Sequence, residues 1–92
     1  MINILKMSLL IDVRTAEEFN EEHAEGALLL PIDEIAKGEI GPLATVSKET
    51  QIKLYCRSGT RSEMAKELLK DLGFKRVENL GGLSDLKLKK ML

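Results

Sequence analysis

The sequence predicts an α/β domain with a mostly parallel central sheet flanked by helices on both faces. Three observations carry that prediction. Short strand-like runs at residues 9–11, 27–30, 51–55 and 75–79 alternate with segments that show helix-start signals or helical periodicity. The connections are short and punctuated by glycine or proline. Hydrophobic residues make up 43% and charged residues 32% of the 92, the balance of a folded chain long enough for one hydrophobic core.

Taken in order, Leu9-Leu10-Ile11 closing on Asp12-Val13 is a continuous apolar run of the kind a buried parallel strand shows. Thr15 supplies an N-cap, with Glu17 and Glu18 in the first turn of a helix expected to end near Glu22. Gly26 breaks the chain before a second short strand at 27–30, and Pro31 restarts a brief helix running to about Gly38. Residues 41–50, with Pro42, read as loop and one turn. Residues 51–55 form a third strand feeding directly into Cys56. Met64, Ala65, Leu68, Leu69 and Leu72 then recur at helical spacing, predicting a helix over 62–72 that Gly73 stops. A fourth strand over 75–79, a turn at Gly81-Gly82 and a closing helix over 83–91 complete the reading. No repeat, linker or low-complexity stretch divides it, so residues 1–92 are expected to be one domain.

Composition narrows the function. A net charge of −1 predicts no general affinity for nucleic acid or an anionic membrane surface. One cysteine cannot form an internal disulfide, and one cysteine with one histidine, His23, make a structural zinc site of protein ligands unexpected. No apolar run approaches the roughly 20 residues needed to span a bilayer. The apolar start MINILKMSLLIDVR lacks a small-residue cleavage site and runs into Asp12 and Arg14, so it does not read as a signal peptide. A cytoplasmic location is expected.

The stretch YCRSGTRS holds the single cysteine in unusual company. In an open parallel sheet, ligands bind at the carboxyl ends of the strands, which is where Cys56 falls. The loop 56–61 is short, contains Gly59 and leads into a helix, so its N–H groups can converge on one point as an anion-binding nest aided by the helix dipole. Arg57 and Arg61 add positive charge. In such settings a thiol drops from about 8.5 to roughly 3.5–7.5 in pKa. Cys56 is therefore the candidate nucleophile, in a loop of Arg57, Ser58, Gly59, Thr60 and Arg61. Ser62 is a candidate support for the loop, and ordinary roles stand beside these: an inert buried thiol for Cys56, a helix N-cap for Ser62, turn formation for Ser58 and Thr60, solvated charge for Arg57 and Arg61. Asp12 and Arg14, on the same sheet edge, can support the loop or donor, or form an ion-pair network with Glu18 or a loop backbone group. His23 reads as a structural hydrogen-bonding residue rather than a general base.

Four stretches resemble the rhodanese family in the right order: LLIDVRTAEEF (9–19), EEHAEGALLLP (21–31), YCRSGTRS (55–62) and NLGGLSDL (79–86). The last is preceded by Val77-Glu78, similar to the V-E-N-x-G-G-L of the short single-domain type that resembles phage-shock protein E. The chain departs from the family pattern at Glu22, Ala24 and Leu86, where glycine, isoleucine and tryptophan are usual. The short MINILKMS stands in place of the usual first helix, which leaves one side less covered and favours self-association.

The resemblance implies a single-domain rhodanese-like fold and a sulfurtransferase without cofactor or metal. Cys56 would take a sulfane sulfur from thiosulfate or a persulfide donor, and pass it to cyanide, a thiol or a protein cysteine. With no second cysteine in the chain, the acceptor must come from outside; a monomer or weak homodimer is expected. Two alternatives remain: a persulfide carrier or interaction module with little turnover on thiosulfate, and a phosphatase or arsenate reductase on a related fold. The latter chemistry uses C-x5-R, whereas here Cys56 and Arg61 are separated by four residues.

Overall fold

A computed structural model describes residues 8–91. The amino-terminal segment read above as standing in for a first helix lies, for residues 1–7, outside the described residues. Strand β1 (Ser8–Asp12) is followed by α1 (Ala16–Glu21), β2 (Leu28–Leu29) and α2 (Ile32–Ala36). A single 3-10 turn (Gly41–Leu43) then leads to β3 (Gln51–Cys56), α3 (Thr60–Asp71), β4 (Arg76–Gly82) and α4 (Leu83–Met91). The four strands are all parallel, in the order β2-β1-β3-β4.

That order follows from the connections. The chain steps outward from β1 to β2, then crosses back over β1 to β3 and continues to β4. Right-handed crossovers therefore place α2 and α3 on one face and α1 on the other. The step reverses between β1 and β3, and the carboxyl ends of those two strands form the crevice in which this architecture binds ligands. Asp12 ends one of them and Cys56 the other.

Strand alternation assigns the faces. Ile11, Val13, Ile52, Leu54 and Cys56 meet Ile35 of α2, Ala65 and Leu69 of α3, and Phe74 in one buried cluster. The intervening residues Asp12 and Tyr55 point the opposite way, and both are fully buried. On that face Leu10, Leu83 and Leu86 line a cleft of about 360 Å³ beside α1 and α4. Among the described residues no helix is long and apolar enough to cross a membrane.

Most boundaries fall within two residues of the sequence reading, and three shifts are instructive. The ladder of β2 is confined to two residues, although Leu30 N–H still donates to the carbonyl of Asp12 at 2.9 Å and Ile32 N–H to that of Val13 at 3.0 Å. Helix α3 begins at Thr60, two residues early, because Gly59 at φ 103° ends the loop and itself takes the N-cap position. Gly81 and Gly82 are not a turn: they belong to β4, where three residue steps oppose two on β3 between the pairs Leu54–Asn79 and Cys56–Gly82. Gly81 absorbs that bulge at φ 95°.

Tyr55 ties the second face together. Its hydroxyl donates to Asp12 Oδ2 at 2.7 Å and accepts from the N–H of Ala24 at 2.9 Å. Burial is the largest influence on the phenol, which is pushed up to about 12, so it stays protonated as a donor. The Tyr55→Phe variant should fold but lose about 1–3 kcal/mol, since two polar groups are left without their partner. Thermal unfolding followed by circular dichroism should show a melting temperature lower by several degrees; an unchanged value would mean that water already serves those groups.

Candidate active site

Cys56 is the last residue of β3, and the chain turns at once into α3. The turn closes because Gly59 adopts a left-handed conformation that a side chain resists. Its N–H then points back at Cys56 Sγ from 2.9 Å. The thiol is 1% exposed. Burial alone would push it up, but the hydroxyl and N–H of Ser62 and the N–H groups of Gly59 and Ser58 outweigh that and hold it below the ordinary thiol value. Hydrogen bonds from the loop and first helical turn thus lead in stabilising the anion, where the sequence had suggested arginine charge as a contributor.

The two arginines are engaged elsewhere. Arg61 forms a two-pronged pair with Glu18 of α1, Nη1 to Oε1 at 2.7 Å and Nη2 to Oε2 at 3.0 Å. Arg57 Nε stands 3.6 Å from the same carboxylate, and its side chain is 73% exposed. Glu18 also closes the capping box of α1, accepting from Thr15 N–H while the Thr15 hydroxyl accepts from Glu18 N–H. One carboxylate therefore both starts α1 and straps the cysteine loop to it. Arg61, followed by the contacts to Thr15, holds Glu18 down to about 2 against the effect of burial.

Asp12 and Arg14 pair with each other rather than with Glu18. Arg14 Nη2 donates to Asp12 Oδ2 at 2.7 Å and Nε to Oδ1 at 3.0 Å, with Tyr55 completing the carboxylate. Arg14 Nη2 also donates to the backbone carbonyl of Glu22 at 2.7 Å, so the pair anchors the segment after α1. Both side chains are buried, and this pairing is what makes a charge tolerable there. His23 stacks on Phe19 with ring centroids 3.7 Å apart, and its Nδ1 lies 2.8 Å from the Phe19 carbonyl.

Ser62 is not the N-cap of α3. It lies in the first turn, fully buried, 3.4 Å from Cys56 Sγ, 3.1 Å from the Gly59 carbonyl and 2.6 Å from Asn79 Oδ1. Asn79 and Gly82 of β4 were absent from the sequence-based site. Asn79 donates to the Gly59 carbonyl at 3.0 Å, and a Cβ on Gly82 would overlap the carbonyl oxygen of Arg57. An asparagine inside a strand, where that residue is disfavoured, was the available signal. Glu18 was visible as a helix-start residue, but its contact with a loop 43 positions away was not.

Ser58, Thr60, Glu63, Met64, Asn79 and Gly81 border a shallow open groove of about 730 Å³ beside the loop. The more enclosed cleft on the α1–α4 face lies away from Cys56, so the nucleophile and its donors, rather than enclosure, locate the site. Among the described residues, no three His, Cys, Asp or Glu side chains come together to hold a metal ion.

Comparison with known proteins agrees with this geometry. The profile of the Rhodanese-like domain matches residues 1–89. The chain is 41% identical over 81 residues to the thiosulfate sulfurtransferase PspE of Escherichia coli K12, covering 88% of this chain and 76% of that protein. It is 35% identical over 71 residues to the putative sulfur carrier protein YrkF of Bacillus subtilis 168, of which it spans only 36%. Among solved structures, an E. coli rhodanese with anions superposes with a TM-score of 0.77 at 39% identity, covering 86% of this chain and 91% of that one.

The Glu18 strap predicts an acid dependence of stability. A carboxylate held at about 2, against an ordinary 4.5, contributes fully above that ordinary value and loses its contribution as pH falls toward about 2. Urea unfolding of wild type and Glu18→Gln should show the wild type more stable at neutral pH, with the gap narrowing between pH of about 4.5 and about 2. A gap independent of pH over that range would refute the strap.

Proposed function

The chain belongs to the rhodanese-like family and is a sulfurtransferase; from that premise we propose that Cys56 is its nucleophile and sulfur carrier. The observation that carries the reading is the cradle of N–H donors around Sγ, aimed where an anionic sulfur sits. The Cys56 thiolate attacks the outer sulfur of thiosulfate. A new S–S bond forms, the S–S bond of the donor breaks, and its electron pair leaves with sulfite. The terminal sulfur of the resulting persulfide carries the negative charge, and the N–H groups of 57–61 and the dipole of α3 stabilise it. An acceptor thiolate, or cyanide in an assay, then attacks that terminal sulfur and returns the electron pair to Cys56.

Each loop residue has a part in this proposal. Arg57, exposed at the mouth, attracts and orients the anionic donor. Arg61 acts mainly as a structural strap through Glu18, Gly59 sets the turn, and Ser58 contributes an N–H to sulfur. Thr60 borders the open groove, on the side we assign to the acceptor. Ser62 supports the sulfur from below, while Asp12 and Arg14 hold the segment after α1 rather than the donor. Thiosulfate and persulfides share the required sulfane sulfur, and a small thiol or a protein cysteine serves as acceptor. We place the domain in the cytoplasm, where a thiol needed as a nucleophile is kept reduced, as a monomer or weak homodimer.

A phosphatase reading is disfavoured by Arg61, whose guanidinium turns outward to Glu18 instead of into the loop where an oxyanion would need it. A carrier with little turnover remains the second reading, supported by the burial of Cys56 at 1% exposure, which restricts approach of a bulky donor or acceptor.

Intact-mass spectrometry after incubation with thiosulfate tests the proposal. Wild type should gain one sulfur atom, removable by cyanide or a thiol, and Cys56→Ser should gain none. Catalytic turnover with thiosulfate and cyanide marks the enzyme; stoichiometric loading without turnover marks the carrier. No gain on a protein whose Cys56 still reacts with iodoacetamide would overturn the thiosulfate reaction.

A further inference from the structure

The hydrogen bonds around Asn79 have one consistent assignment. Its Oδ1 lies 2.9 Å from the N–H of Gly81, a donor, and its Nδ2 lies 3.0 Å from the Gly59 carbonyl and 3.1 Å from Glu63 Oε1, both acceptors. Turning the amide over would set donor against donor on one side and acceptors against an acceptor on the other. The amide orientation is therefore fixed, and Oδ1 can only accept.

Consequently the 2.6 Å contact between Asn79 Oδ1 and Ser62 Oγ has to use the Ser62 proton. A serine hydroxyl has one proton to give. While Asn79 holds it, Ser62 presents only lone pairs to Cys56 Sγ, 3.4 Å away. That arrangement suits a thiol, which can donate its S–H to Ser62, and opposes a thiolate, which needs a donor. Ionisation of Cys56 turns the Ser62 proton from Oδ1 to Sγ, leaving Oδ1 with the Gly81 N–H alone. We propose that Asn79 is a positioning residue that acts on Cys56 through Ser62, competing with sulfur for one proton and releasing it when the sulfur becomes negatively charged.

The surrounding charges are Arg57 and Arg61 of the loop with Glu18 of α1, and Glu63 of α3 on the Asn79 amide. Asp85 of α4 accepts from the Gly82 N–H, and the Asp12–Arg14 pair with Tyr55 lies beneath the crevice. All of these are unchanged between an Asn79 variant made in the native chain and the same variant made with Ser62→Ala, so they cancel in that comparison.

The test is the pH dependence of Cys56 alkylation by iodoacetamide in wild type, Asn79→Ala, Ser62→Ala and the double variant. It needs no sulfur donor, so it stands or falls separately from the sulfurtransferase reaction. Asn79→Ala removes the shortest acceptor of the Ser62 proton, so that Sγ competes for it only with the Gly59 carbonyl, 3.1 Å from Ser62 Oγ. The midpoint of this variant should fall by roughly half a unit to one unit, about three- to tenfold more thiolate at a pH below the midpoint. With Ser62→Ala already present, the Asn79 substitution should move the midpoint little. An unchanged or raised midpoint in Asn79→Ala alone, or the same fall in both backgrounds, would overturn the proposal.

A measurement on proteins with Asn79 intact guards against misfolding of that variant. The ¹³C signal of the Asn79 side-chain carbonyl should titrate with the Cys56 midpoint in wild type and lose most of that response in Ser62→Ala. An equal response in both would show that Ser62 is not the intermediary.

Discussion

The Cys56 sulfur is buried with hydrogen-bond donors already in place around it, and that arrangement organises the crevice. Water cannot solvate a side chain that is 1% exposed, so the hydrogen bonds must come from the protein. They come from the Ser62 hydroxyl and from backbone N–H groups where β3 turns into α3. The turn is tight because Gly59 takes a positive φ, and it seats against β4 because Gly82 carries no side chain to meet the Arg57 carbonyl. The parallel sheet in turn places this loop at the crevice where the chain reverses its stepping direction.

Around the cradle, charge is balanced more than accumulated. Glu18 offsets Arg61 and approaches Arg57, while Asp12 offsets Arg14 beneath the crevice. Exposed cations at a surface are screened by salt, whereas short contacts from fixed N–H dipoles are screened much less. The strap and the buried pair fix backbone positions after α1 and along the loop, and Arg57 stays largely exposed at the mouth beside the same Glu18 carboxylate. Asn79 adds a further balance, set on hydrogen bonds instead of charge.

The sequence made visible what depends on local pattern. Apolar runs, the Thr15 cap and the helical spacing of Met64 to Leu72 place β1, α1, β3 and α3, because burial and capping act over a few residues. Cys56 and its loop stood out because a lone thiol is followed by arginine, serine and glycine, although the structure also packs that thiol into the core cluster. What escaped depended on tertiary approach. Ser62 looked like a cap until Gly59 took that place, and its partner Asn79 lies 17 positions away on β4. The Gly81-Gly82 pair looks like a turn by composition, yet it serves a bulge and a close packing contact that exist only once β4 lies beside β3.

The most direct test of the central claim is the salt dependence of Cys56 ionisation, read from thiolate absorbance across pH at low and at high ionic strength. If hydrogen bonds from the loop hold the anion, the midpoint stays below the ordinary thiol value of about 8.5 even at roughly 1 M salt, where the screening length is about 3 Å. A midpoint that climbs to the ordinary value as salt is added would mean that exposed arginine charge holds the anion, and would contradict the account.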